Sequence, residues 1–367
     1  MKIMLQGYLS DANFGDALIA SLFYQECKDA GFEEIDFFQF KNYGIGSFVR
    51  KQLGYTAEKS FFSCISADAF CLIPCGSFWN NGSKNDAKNR FRRFLLPALI
   101  YLFRRKPVYI LGVGGGSVEV PWLRRLMVRV LNRAKLVYFR DESTYDVFQE
   151  YGVNNKVTVT ADTALVIKPE MLMQFEEKKK LDTIASGRKK LLLHIPDGGF
   201  AVGVVADIIL LGLIPFLDRH KDYLLVYSHD NMRSLDSGEI SAIQKIRKSL
   251  SDSGIEVYEY RYHDCWQMCS LIGEMDCIVT AKLHVGAVGC ALGKSVVSFP
   301  VHREKTDNFY RMIGESERCV NVRSLDSNIV YGQLEKFYNK PVRISEEMRI
   351  KASINLSIIK DIRERSI

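Results

Sequence analysis

Long apolar runs are scarce in this sequence. The longest, 202–217, is broken by Asp207 and falls short of the ~20 residues a membrane-spanning helix needs, so it is expected as a buried helix. Cysteine is present but unpatterned: the nine residues are an odd number, and several sit in apolar runs. Cys265 and Cys269 lie four apart, with no second pair at zinc-ligand spacing. That argues against a metal site and for reduced core thiols. There is no internal repeat and no low-complexity tract, which sets aside fibrous and disordered classes. The opening residues, Met1 to Gly7, turn polar within a few positions and lack an apolar signal core, so a cytoplasmic protein is expected. Acidic residues are locally scarce: between Lys84 and Lys135 only Asp86 and Glu119 oppose 13 lysines and arginines, and the whole chain carries a net charge of +7.

What is present is an ordinary globular composition, 47% hydrophobic and 25% charged, over 367 residues, a length suited to two domains. Short apolar runs rich in β-formers alternate with helical patterns in both halves. Strands are expected near 3–8, 34–40, 69–74, 108–111, 136–139 and 157–160, then from Leu191 and near 223–227, 256–260, 277–280 and 295–299. Such alternation implies α/β architecture with two Rossmann-like parallel-sheet domains facing across a cleft. The charged stretch 168–190, containing Glu176 to Lys180, reads as a connection between them. The expected division is an N-terminal domain 1–170, a linker 171–189, a C-terminal domain 190–342 and a final helix 343–367 that crosses back to the first domain.

The centre of the chain is the stretch from Asp276 to Val301. Cys277 to Thr280 reads as a buried parallel strand, and Leu283, Ala287, Cys290 and Ala291 fall at helical spacing up to Gly293. Open α/β sheets bind ligands beyond the carboxyl ends of their strands, so Lys282 and His284 stand where a cation, an imidazole and helix N–H groups suit a phosphate or carboxylate. The same pattern also fits an ordinary helix start with a solvated lysine.

Other loops follow strand ends in the first half. Leu9 to Asp16, containing Asn13 and Asp16, precedes a helix; such loops commonly hold a ligand, and a glycine turn with an acidic cap is also how many structural helices begin. Cys75 to Ser83 is rich in small and amide residues, Ser77 and Asn80 among them, the kind of loop that approaches a substrate closely or serves as a flexible connection. Gly112 to Ser117 is expected as a glycine-rich strand exit, and Gly114, Gly115 and Gly116 as close backbone approach to an anion, since the spacing is not a dinucleotide fingerprint. Arg140 stands at the tip of the fifth strand, where a guanidinium can grip a phosphate or carboxylate with two prongs; an Arg140–Asp141 surface pair is the plainer alternative.

Taken in order, Asn13-Phe14-Gly15-Asp16, Gly114-Gly115-Gly116, Arg140-Asp141-Glu142-Ser143, Ala161-Asp162, Lys282-Leu283-His284 and Ala291-Leu292-Gly293-Lys294-Ser295-Val296 resemble the polysaccharide pyruvyl transferase family over most of the chain. The departure is Lys282, where the family usually has arginine before Leu-His; lysine keeps the charge but loses the bidentate fork. The resemblance implies a fold similar to glycosyltransferase B, phosphoenolpyruvate as donor substrate with no further cofactor, and a saccharide hydroxyl pair as acceptor, giving a cyclic pyruvate ketal in surface or exopolysaccharide biosynthesis. It implies Arg140 and His284 as the catalytic pair, with Lys282 and Leu283 beside the donor and Asn13 and Asp16 towards the acceptor.

Residue chemistry fits this: an enol phosphate needs a proton at its methylene carbon, a base for the hydroxyl and cations for its two anionic groups, and an imidazole can act as acid or base at neutral pH. Two rivals stay open. One is a nucleotide-sugar glycosyltransferase, for which Glu304 and Asp307 are the candidate ribose ligands; the other is a non-catalytic saccharide-binding or assembly protein. The basic block suits an anionic membrane surface, because Phe94 to Phe103 lies between Arg92-Arg93 and Arg104-Arg105-Lys106, with Trp122 and Arg124-Arg125 nearby. That would place the protein on the inner face of the cell membrane, near lipid-linked acceptors; a core helix with solvated basic ends fits as well. Nucleic acid is not expected, since aromatics are not interleaved with the bases.

Overall fold

The computed structural model describes residues 1–9, 13–38, 45–56, 65–74, 77–195, 200–229, 237–300, 303–321 and 325–364. The chain divides into two compact units, Met1–Thr163 together with Glu346–Ile367, and Ala164–Ser345.

In unit 1 the described elements are β1 (Lys2–Gln6), α1 (Phe14–Asp29), β2 (Glu34–Phe37), α2 (Ser47–Leu53), β3 (Ala69–Leu72), β4 (Ser77–Asn80), α3 (Lys84–Arg90), a π-helical turn (Phe91–Leu95), α4 (Leu96–Phe103), β5 (Val108–Val118), α5 (Pro121–Arg133), β6 (Leu136–Phe139), α6 (Glu142–Glu150) and β7 (Val157–Val159). The strands pair in the order β2-β1-β3-β5-β6-β7, all parallel, with β4 added alongside β5. Burial on both faces explains why these strands read as continuous apolar runs. Phe70, Leu72, Ile110, Val137 and Phe139 form the core with Ala98 and Tyr101 of α4 and Leu123 and Met127 of α5.

In unit 2 the series continues with α7 (Lys178–Ala185), β8 (Lys189–His194), α8 (Phe200–Arg219), β9 (Tyr223–His229), α9 (Ser237–Asp252), β10 (Val257–Arg261), α10 (Cys265–Gly273), β11 (Cys277–Thr280), α11 (Leu283–Ala291), β12 (Ser295–Ser298), α12 (Arg303–Met312) and α13 (Ser327–Phe337). Its parallel sheet has the order β10-β9-β8-β11-β12. One face, with Leu191, Leu193, Leu225, Val279 and Val297, packs on Ile209, Leu213 and Phe216 of α8. On the other face Ile278 and Val296 lie so close to α11 that only glycine fits at 289, where a Cβ would stand 2.6 Å from Ile278.

The stretch expected as a linker contains α7. Its lysines are not loop charges: Lys178 pairs with Glu274 and Asp182, Lys190 bonds Asp182 at 2.7 Å, and Leu181 and Ala185 face inward. Burial also explains the cysteines: it pushes the Cys277 and Cys290 thiols up to about 12, so both stay protonated.

The final helix, α14 (Glu346–Glu364), belongs to unit 1 and packs on α1. Its Asn355 is fully buried and donates from Nδ2 to the Ala161 carbonyl at 2.9 Å and to Thr163 Oγ1 at 3.1 Å. The same amide group lies against Gly112, whose φ of +61° and 2.8 Å clearance leave no room for a side chain. Asn355→Ala should therefore cost about 1–3 kcal/mol of stability, read as a lower urea midpoint, because the buried Ala161 carbonyl loses its donor.

Candidate functional site

Among the described strands, each sheet has one place where the strand order reverses. In unit 1 the chain leaves β1 towards β2 on one side and returns to β3 on the other, so the reversal lies between β1 and β3. In unit 2 it runs β8-β9-β10 one way and returns to β11, so the reversal lies between β8 and β11. Ligands of open α/β sheets bind beyond the carboxyl ends of the strands at such points.

The central stretch of the sequence lands on the second of these. Thr280 ends β11, Lys282 is the N-cap of α11 in extended conformation, and His284 sits in the first helical turn; both Lys282 and His284 are partly exposed while Leu283 is buried. The turn is held locally. Thr280 Oγ1 accepts the Lys282 N–H at 3.0 Å, and the Gly286 N–H donates to the Lys282 carbonyl. The N-cap Lys282 makes no side-chain capping bond, and the helix N-terminus carries the positive end of its dipole.

Register adds a residue that motif spacing passes over. His194 pairs with Thr280 on one side and with Ser228 on the other, and Thr280 pairs with Ser298. Residues opposite one another in parallel strands project to the same face, here that of Ile278 and α11. Ser228, His194, Thr280 and Ser298 thus form a fully buried polar row across four strands at the edge of the reversal point. In sequence, His194 is a single histidine closing an apolar run, which any strand end could show.

At the first reversal point, Asn13 caps α1: its Oδ1 accepts from the Gly15 and Asp16 N–H groups at 2.9 and 3.2 Å. Asp16 lies in the first turn of that helix and is partly exposed. Ser77 opens β4, whose side-chain placement there lies outside the described residues. Asn80 is fully buried, its Nδ2 donating to Asp86 Oδ2 at 2.7 Å and its Oδ1 accepting from the Gly82 N–H at 3.1 Å. Its amide therefore builds the turn into α3 instead of standing open to a ligand.

Arg140 stands two strands away from that reversal, at the end of β6. It is 6% exposed, with Nε 3.5 Å from Asp141 and Nη1 3.4 Å from Asp162. Asp141 also caps α6 and accepts from Thr144 Oγ1 at 2.8 Å, and Thr144 Oγ1 accepts the Gly115 N–H at 2.7 Å. The surface pair considered from sequence is thus a buried cluster of one cation and two carboxylates.

The glycine run is not a strand exit. Gly112 to Ser117 lies within β5, where Gly114 and Gly115 pair with Ser77 and Phe78 of β4. A Cβ on Gly114 would stand 2.5 Å from Arg140 Nη2, and one on Gly115 would meet Phe148 and the Phe78 carbonyl at 2.9 Å. These glycines make room for the guanidinium and for a close strand pair.

A family model for polysaccharide pyruvyl transferase matches residues 13–303. The chain belongs to the polysaccharide pyruvyl transferase family. This transferase has no match among curated proteins. Its fold, of the glycosyltransferase B type, is shared with solved structures of low identity. A putative UDP-N-acetylglucosamine 2-epimerase from Listeria monocytogenes aligns at 12% identity and TM-score 0.64, covering 99% of this chain and 97% of that one. The UDP-GlcNAc 2-epimerase from Neisseria meningitidis bound to UDP-GlcNAc aligns at 14% and 0.63, covering 98% and 100%. MnaA of S. aureus, solved with UDP, aligns at 13% and 0.61, covering 98% and 94%.

Because Arg140 is held by two carboxylates, it cannot retreat from an added methyl group. Gly114→Ala should lower stability by about 1–3 kcal/mol, measured as a shift in the urea midpoint at unchanged slope.

Proposed function

We propose that this transferase moves pyruvate from phosphoenolpyruvate to a pair of saccharide hydroxyls, forming a cyclic ketal and releasing phosphate. The observation that carries the reading is Lys282 and His284 placed together at the reversal point of the second sheet, within a chain of this family. In the reaction a proton is added to the donor's methylene carbon, making it a methyl group. Two sugar oxygens bond to the neighbouring carbon, and the bond from that carbon to the phosphate oxygen breaks. Of the two hydroxyl protons released, one balances the new methyl group and the other leaves with phosphate.

His284 is the acid or base in this scheme, and Lys282 with the N-terminal N–H groups of α11 is the partner of the donor's negative charge. His194 supports them from below as a positioning residue, through the row it shares with Thr280. Asn13 and Asp16, at the reversal point of the first sheet, are assigned to the acceptor side together with Ser77. Arg140 enters second, because an anion reaching it would have to displace Asp141 or Asp162. A lipid-linked saccharide is the acceptor class this reading favours.

A second reading, transfer from a nucleotide sugar, draws support from the fold likeness over nearly the whole chain to a UDP-GlcNAc-bound epimerase. Glu304 lies in the first turn of α12, beyond β12, and Asp307 of the same helix accepts from Cys319 Sγ at 3.0 Å. One assay separates the two: phosphate release from phosphoenolpyruvate with lipid-linked or aryl glycosides, read by mass spectrometry for added pyruvate, against a parallel series with UDP-sugars. Phosphate release with pyruvate addition is expected, and His284→Ala should lower kcat by on the order of 10²–10⁴. Sugar transfer without pyruvate addition would replace the first reading with the second.

A further inference from the structure

We propose that one face of unit 1, made by α4, α5 and the turn after α4, docks on an anionic lipid bilayer. This goes beyond the pyruvyl-transfer reading and is tested without turnover.

Helices α4 and α5 lie side by side. Both connect parallel strands, β3 to β5 and β5 to β6, and both pack on β5 and on each other. Each must therefore run back against the strand direction, so the two helices point the same way. Phe91 meets Trp122 at 6.0 Å between ring centroids, which sets the start of α5 beside the π-helical turn. The 12 steps from Phe91 to Phe103 then span about 18 Å, placing Phe103 level with Arg133 at the far end of α5.

Buried Ala98 and Tyr101 take the inner side of α4, while Leu96, Leu99 and Ile100 are only half-buried and Phe103 is 91% exposed. An almost fully exposed phenylalanine at the end of an apolar stripe is costly in water and suits an acyl–headgroup boundary. Trp122, 37% exposed, stands at the other end, as amphipathic rings do at membrane interfaces.

Cations surround this stripe. Arg104 and Arg105 follow Phe103 directly, and Arg125, Arg129 and Arg133 form the outer edge of α5 at four-residue spacing, all exposed. Arg104, Arg105, Arg129 and Arg133 make no ion pair with any described residue. Of the two acids in this block, Asp86 is already taken by Arg90 at 2.8 Å, and the exposed Glu119 stands just before α5, at the Trp122 end. Arg105 adopts φ +58°, a conformation in which glycine would be relaxed; keeping arginine there puts a cation beside Phe103 at a backbone cost. Together the pattern is apolar in the middle and positive around it, complementary to a negatively charged bilayer surface. Bases would need aromatics spread among the cations for stacking, and here the rings stand at the two ends of an aliphatic stripe.

The test is flotation of the full chain with unilamellar vesicles, either phosphatidylcholine alone or mixed with phosphatidylglycerol. Binding to the mixed vesicles alone is expected, with weakening as salt rises from 0.05 to about 0.5 M because the Debye length shrinks. Arg104→Glu with Arg105→Glu should cut partitioning by tenfold or more, at about fivefold per lost cation. Phe103→Ser should also lower binding, while both variants retain the wild-type circular dichroism spectrum and urea midpoint. No binding to mixed vesicles, binding that the variants leave unchanged, or binding abolished by duplex DNA at equal charge in a manner independent of Phe103 would each overturn the proposal.

Discussion

Because β8 and β11 pair residue for residue, from Leu191 with Cys277 to His194 with Thr280, the composition of the second sheet's edge follows from backbone hydrogen bonding. A slip of one residue would turn Thr280 and His194 to the opposite face and bring apolar side chains to the crevice. The helix that follows can start only where Thr280 has secured the Lys282 amide, so the placement of Lys282 and His284 depends on the same pairing. Small residues on α11 let the helix lie close enough to the strands for this short turn to close, as the contact of Gly289 with Ile278 shows.

Unit 1 solves a different problem. Arg140 is almost fully buried, and a lone guanidinium in such a place would be strongly unfavourable. Two carboxylates offset that cost, Thr144 orients one of them, and Gly114 removes the side chain that would otherwise occupy the guanidinium's space. The motif around Arg140 and the glycine triplet, far apart in sequence, are thus two halves of one packing arrangement.

Much of the fold was legible beforehand because buried parallel strands announce themselves as short β-branched and aromatic runs. Leu136–Phe139, Cys277–Thr280 and the helix Leu283–Ala291 fall where the sequence pattern puts them. The failures share a cause: their meaning is tertiary. Glycines at 112–116 look like a loop until the guanidinium against them is known. The charges at 178–180 look like a linker until Glu274 is seen to meet Lys178. Asn80 looks like a ligand-facing amide until Asp86 and Gly82 account for it. His194 carries no local signal at all, since its neighbours Thr280 and Ser228 come to it only through strand pairing.

Unit 1 is built from two segments that flank unit 2 in sequence, with Glu346–Ile367 joining Met1–Thr163 after all of unit 2 has been made. During synthesis, then, the usual order in which an amino-terminal domain completes itself first is reversed. Ala161 gains its donor only once Asn355 has been made, so the inserted unit is free to finish folding while its host still waits.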